Sequence, residues 1–130
     1  IYETSAVAVG GPTVAADPIV GGLVLSSHQH ERPLTGFLVR SEAKAHGTGK
    51  QLEGPLKSGA EVAVVDGSLS TGGSMFAAIE AAEAEGCTVT KVLAILDRHQ
   101  GGSEKLRDGG YDLSTLLEST SDGEVAVAGR

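Results

Sequence analysis

The segment Val62–Ser74, VAVVDGSLSTGGS, constrains this chain more than any other stretch. A short apolar run (Val62, Val64, Val65) ends in an acid, Asp66, and a loop of Ser, Thr and Gly leads into a helix-forming segment beginning near Met75. The run reads as a buried strand with Asp66 at its carboxyl end. In open α/β sheets ligands bind at that edge. Ser70, Thr71, Gly72, Gly73 and Ser74 offer backbone N–H groups and hydroxyls to an anion. The helix MFAAIEAAEAEG behind them adds the positive end of its dipole. The chemistry is a carboxylate for sugar hydroxyls or a metal ion, beside a cradle for one phosphate. An ordinary strand–turn–helix with a Gly-rich corner is the plainer alternative.

The rest of the chain alternates strands with helical segments. Ser5–Gly10 reads as a first strand, Gly11-Pro12 as a turn, and Thr13–Leu25 as a helix entry and helix, with Pro18 comfortable in the first turn. Ser26–Pro33 is a polar connection and Leu34–Arg40 a second strand. Ser41–Glu53 is a polar, Gly-containing loop of a length often found in functional lids. Val62–Asp66 is a third strand, Ser74–Glu85 a helix, Val89–Leu96 a fourth strand and Ser103–Asp108 a short helix. Leu113–Leu117 is ambiguous. The pattern predicts an α/β fold with a mostly parallel sheet flanked by helices, in one domain over residues 1–130 with 119–130 as a loose C-terminal tail.

With two Tyr, two Phe and no Trp, the core must be built from Val, Leu, Ile and Ala, which suits such a sheet. A net charge of −7 opposes nucleic-acid binding, because a phosphate backbone would be repelled. No apolar run is long enough for a bilayer and no signal peptide is visible, so a cytoplasmic protein is expected. The one cysteine, Cys87, follows Gly86 at a helix-to-strand join and reads as a small buried residue.

Three further clusters carry possible chemistry. Arg40–Lys50, RSEAKAHGTGK, gathers Arg40, Lys44, His46 and Lys50 around flexible glycines, which suits a ligand with several phosphates or a solvated basic loop. A P-loop reading fails, because Lys44 stands at its first glycine and Gln51 replaces the hydroxyl that should contact Mg²⁺. Leu96–Gly102, LDRHQGG, puts Arg98 after the fourth strand, where it could fork onto a substrate carboxylate or pair with a nearby acid. His28 and His30 lack a third ligand close by and read as surface loop. No metal-ligand set and no Ser/His/Asp order stand out.

Together these segments resemble a type I phosphoribosyltransferase, specifically the orotate phosphoribosyltransferase family. Val9–Ile19 is similar to that family's pyrophosphate loop, Phe37–Gly54 to its catalytic loop, VAVVDGSLSTGGS to its PRPP motif, and LDRHQGG to the segment whose Arg contacts orotate. The resemblance implies transfer of phosphoribose from PRPP to orotate, with Mg²⁺ bound alongside PRPP. It assigns the ribose hydroxyls to Asp66, the 5′-phosphate to Ser70, Thr71, Gly72, Gly73 and Ser74, and the orotate carboxylate to Arg98. Arg40, Lys44 and His46 would neutralise the departing pyrophosphate across a homodimer interface, with Lys44 or His46 able to donate a proton. The catalytic set is thus Lys44, His46 and Asp66.

The chain departs from the family pattern at Gly67, where a second acid is usual, and at Ser41, where Lys is usual. Ala15 and Ala16 stand near a family glycine, where a Cβ would obstruct pyrophosphate. The resemblance also implies that the N-terminal hood over the base is short or missing. These departures leave two further readings: transfer to another base, and a non-catalytic relative that binds a nucleotide or phosphosugar.

Overall fold

Val62, Ala63, Val64 and Val65 are at most 1% exposed. A run buried on both faces needs a parallel sheet with helices above and below. The computed structural model, which describes residues 4–41 and 51–129, places this run in that setting. Its elements are β1 (Ala8–Pro12), α1 (Asp17–Gln29), β2 (Thr35–Val39), β3 (Leu52–Glu53), β4 (Glu61–Leu69), α2 (Gly73–Ala84), β5 (Thr88–Asp97), α3 (Gly102–Asp108), β6 (Leu113–Ser119) and β7 (Val125–Val127). Among the described residues they form one seven-stranded sheet in the order β3-β2-β1-β4-β5-β6-β7. The five inner strands are parallel; the short edge strands β3 and β7 run antiparallel.

Side chains alternate across β4. Val62 and Val64 join Met75, Ala78, Ile79 and Ala82 of α2 and Leu106 of α3 in one core. Ala63 and Val65 join Val9, Ala16 and Val20 in a second core under α1. Small residues let the layers approach. A Cβ at Gly11 would lie 2.0 Å from the Val65 carbonyl oxygen and 2.8 Å from the Ala16 Cβ. A Cβ at Gly10 would lie 2.3 Å from the Phe37 ring.

Several expected boundaries are corrected. Gly11-Pro12 is not a turn but the end of β1, paired with Leu38 and Val39 of β2. The helix expected to finish at Leu25 continues to Gln29. Ser27, fully buried, donates its hydroxyl to the Val24 carbonyl at 2.6 Å and accepts the Leu34 N–H at 2.9 Å, so a serine that looks like loop is satisfied inside. His28 and His30 accordingly lie at the end of α1 rather than in a loop. The third strand does not stop at Asp66 but runs on to Leu69, because β5 keeps pairing with it. Leu113–Ser119 is a strand, held by β5. The expected loose tail contains β7, which folds back on β6.

Cys87 is buried, and burial pushes its thiol above the ordinary range. No helix among the described residues is long and apolar enough to cross a membrane.

Two glycine substitutions should separate close packing from simple chain freedom. Gly11→Ala is expected to lose about 3 kcal/mol in denaturant unfolding, since its Cβ meets backbone. Gly22→Ala, in α1 with nothing near its new Cβ, should gain about 0.5–1 kcal/mol.

Candidate active site

The chain leaves β1 for β2 on one side and returns for β4 on the other, so the β1/β4 boundary is the topological switch point of the sheet. Beyond the carboxyl ends of such strands a crevice forms. The β1–β4 ladder stops at Gly10↔Val64, whereas β4–β5 pairing continues to Leu69↔Asp97. Asp66 sits just past the fork.

Asp66 is 5% exposed. Its Oδ1 accepts the Gly67 N–H at 2.7 Å and its Oδ2 accepts the Ser74 hydroxyl at 3.2 Å. Burial raises its pKa above the ordinary 3.8, and the hydrogen bonds from Gly67 and Ser74 partly offset this. The carboxylate and the last residue of the Ser/Thr/Gly loop are therefore tied directly together.

The loop turns through Gly72, at φ +95°, which is accessible to glycine without strain. Helix α2 then begins at Gly73 with no side chain capping it and no acid in its first turn. Its first N–H groups and its dipole are left for an anion.

Beside Ser74 lies a cleft of about 150 Å³ lined by Pro12, Thr13, Val39, Arg40, Ser41, Ser74 and Ala77. The cleft joins the end of β1, the residues after β2 and the start of α2. Arg40 is fixed at its backbone by the Gln51 carbonyl, and its Nε lies 3.3 Å from Glu53 Oε1. Both side chains are about 40% exposed (44% and 40%), so the pair is weak and exchangeable. Thr13 donates its hydroxyl to Asp17 Oδ2 at 2.6 Å, which pins the connection into α1.

Arg98 is placed differently. It does not line this cleft; it stands exposed in the turn after β5, without an ion-pair partner among the described residues. Lys44, His46 and Lys50 lie outside the described residues. Among the described residues no group of three or more His, Cys, Asp or Glu side chains could hold a metal ion. Asp66 can still serve as the single carboxylate that Mg²⁺ needs when phosphates supply the remaining oxygens.

Two readings need correction or extension. Ala16 does not obstruct the cleft: it is fully buried under α1, filling the space beside Gly11, while Ala15 is exposed. Thr13 and Gly102 were not singled out from sequence. Thr13 is legible in hindsight as a hydroxyl four residues before Asp17. Gly102 carries no such signal, because it meets the 70–72 loop through backbone alone.

A doubly wound parallel sheet with a carboxylate and an uncapped helix start at its switch point defines an α/β protein of the kind that binds its ligands beyond the carboxyl ends of its strands. No protein-family model matches the chain. It is 44% identical over 109 residues to the orotate phosphoribosyltransferase of Rhodopirellula baltica, covering 84% of this chain and 56% of that protein. The crystal structure of a phosphoribosyltransferase from Corynebacterium diphtheriae superposes with a TM-score of 0.79 and 32% identity, covering 90% of this chain and 67% of that one. The Mycobacterium tuberculosis orotate phosphoribosyltransferase in complex with PRPP gives a TM-score of 0.78 at 29% identity, covering 90% and 65%. The chain belongs to the phosphoribosyltransferase family. Within it, the curated relatives it matches are orotate phosphoribosyltransferases, and it spans little more than half of their length.

The raised pKa of Asp66 fixes the sign of a stability test. A carboxyl with a folded pKa above its unfolded one burdens the fold when ionised, fully so above the folded pKa and not at all below 3.8. Asp66→Asn should therefore melt at or above the wild-type temperature near neutral pH, and the difference should close as pH falls towards 3.8. A lower melting temperature near neutrality would mean that the Gly67 and Ser74 bonds outweigh the burial cost.

Proposed function

We propose that this protein transfers the phosphoribosyl group of PRPP to orotate, giving orotidine 5′-monophosphate and pyrophosphate in pyrimidine biosynthesis. The observation that carries the reading is the hydrogen bond from Ser74 to Asp66 at 3.2 Å. It ties a carboxylate suited to ribose hydroxyls to the start of α2, beside a loop suited to the 5′-phosphate. The names of the curated relatives and the PRPP complex of the mycobacterial neighbour support the same substrates.

In this reading Asp66 holds the ribose hydroxyls and Ser70, Thr71, Gly72, Gly73 and Ser74 bind the 5′-phosphate. Arg40 faces the diphosphate from the cleft it shares with Thr13, and releasing Glu53 frees it to do so. Lys44 and His46, on the loop that follows Arg40, complete the charge around the leaving group from the partner of a homodimer. Arg98 takes the orotate carboxylate. The bond from C1 to the diphosphate oxygen breaks, pyrophosphate leaves with the electron pair, and a ring nitrogen of orotate forms the new bond to C1 as its N–H proton passes to solvent. Lys44 or His46 can give the departing pyrophosphate a proton. Positioning and electrostatic stabilisation supply the acceleration, and no nucleophilic side chain is needed. Asp66 is the carboxylate that would hold Mg²⁺ bound with the donor, and the ion would supply charge neutralisation at the diphosphate. A cytoplasmic setting accords with the substrates.

Loss of orotate absorbance with matching pyrophosphate release, in the presence of PRPP and Mg²⁺, is the direct test; no turnover at high protein concentration overturns the proposal. Arg98→Ala should raise the KM for orotate roughly ten- to a hundredfold, the worth of a charge-assisted bond, with a smaller effect on PRPP. Gly67 has space for a side chain, since a Cβ there meets only Ile19 Cδ1 at 3.9 Å. Gly67→Asp combined with Ser41→Lys should therefore fold normally and raise turnover about tenfold or more. An unchanged rate in a well-folded double variant would show that these two departures do not limit the reaction.

A further inference from the structure

Behind the phosphate loop, the chain is fastened at two points to the turn that carries Arg98. The Arg98 N–H donates to the Leu69 carbonyl at 2.9 Å, and the Gly102 N–H donates to the Ser70 carbonyl at 3.0 Å. A Cβ at Gly102 would lie 2.7 Å from Ser70 O, 2.9 Å from Gly72 N and 3.0 Å from Thr71 C. All three are backbone atoms of the loop itself, so none can swing aside as a flexible side chain would. Gly102 is outside the positive-φ set, so the position requires the absence of a Cβ rather than unusual dihedrals. The contact is reciprocal: a Cβ at Gly72 would come within 3.3 Å of Gly102 Cα.

On its other side the turn is anchored to the sheet. His99 adopts φ +54°, a conformation few non-glycine residues hold without support. Its N–H donates to the buried Asp97 carboxylate at 2.9 Å, and its Nε2 lies 3.4 Å from Glu118 Oε2 on β6. Residues 97–102 thus form a strut from β6 to the backbone of residues 69–72.

We propose that Gly102 is a positioning residue for the phosphate cradle, and that through it the 97–102 turn couples the phosphate subsite to the subsite of Arg98. The inference rests on the proposed function for the identity of the two ligands. An anion that fixes the backbone of Ser70–Gly72 also fixes the turn, and with it the backbone from which Arg98 extends. Binding at either subsite must then favour the other by the same factor.

The test measures orotate affinity by calorimetry with and without saturating ribose 5-phosphate. In the unaltered protein, ribose 5-phosphate should tighten orotate binding by about fivefold or more. In Gly102→Ala, ribose 5-phosphate should bind about tenfold more weakly, and its effect on orotate should vanish. Val20→Ala, in the core on the opposite face, lowers stability without touching the turn and should keep the coupling intact. Coupling that persists in Gly102→Ala overturns the inference. An unaltered protein that binds both ligands without coupling overturns it alone, whereas one that binds neither overturns the proposed function as well. Should Gly102→Ala fail to fold, amide resonances of Leu69–Gly72 in the unaltered protein decide the matter. They should shift when orotate is added by itself, and resonances that stay in place overturn the inference.

Discussion

β1 lets go of β4 after Gly10↔Val64, while β5 holds β4 out to Leu69↔Asp97, and the candidate site exists because of that unequal grip. Had both neighbours stopped together, Asp66 would stand at a frayed end in water. Had both continued, its carboxylate would be sealed inside a sheet. The fork lets one strand remain rigid while its other edge opens towards Thr13, Arg40 and Ser74. The close approach at Gly11, where no Cβ fits against Val65, is what allows β1 to lie so near before it departs.

Stability and binding pull in opposite directions here. A buried carboxylate with a raised pKa is a burden that an ordinary core would not carry. The start of α2 forgoes the capping side chain that most helices use. α1 and α3 also begin without a side-chain cap, so it is the buried carboxylate beside the start of α2 that sets this spot apart.

Much of this was legible in the sequence, for reasons that differ by element. The central strand could be read because Val62–Val65 is buried on both faces and so carries no polar interruption. The turn into α2 could be read because Gly72, at φ +95°, is a residue type that backbone geometry dictates. The end of β4 could not: Gly67-Ser68 looks like the start of a loop, and only pairing with β5 makes it a strand. Ser26 and Ser27 likewise read as a connection until Ser27 is seen hydrogen-bonded within the core. β7 was missed although Asp122-Gly123 is a hairpin signal and Gly123 does adopt positive φ. At the candidate site, local pattern pointed to Asp66 and the 70–74 loop, and the fold brings Asp66 and Ser74 into contact. Gly102 escaped because its partners lie about thirty positions away and its contact depends on the absence of a side chain. For Arg98 the sequence left open a substrate carboxylate or a nearby acid, and among the described residues it makes no ion pair.

The borders of the sheet have a consequence for how this molecule meets others. β3 has two residues and β7 three, each antiparallel to its neighbour. A long parallel edge would display a row of open backbone donors and acceptors, an invitation for any extended polypeptide to add itself as the next strand. β3 covers β2 at Leu38 and Val39, and β7 covers β6 from Leu117 to Ser119, so each short strand shortens the parallel edge left open and leaves fewer rungs for such growth.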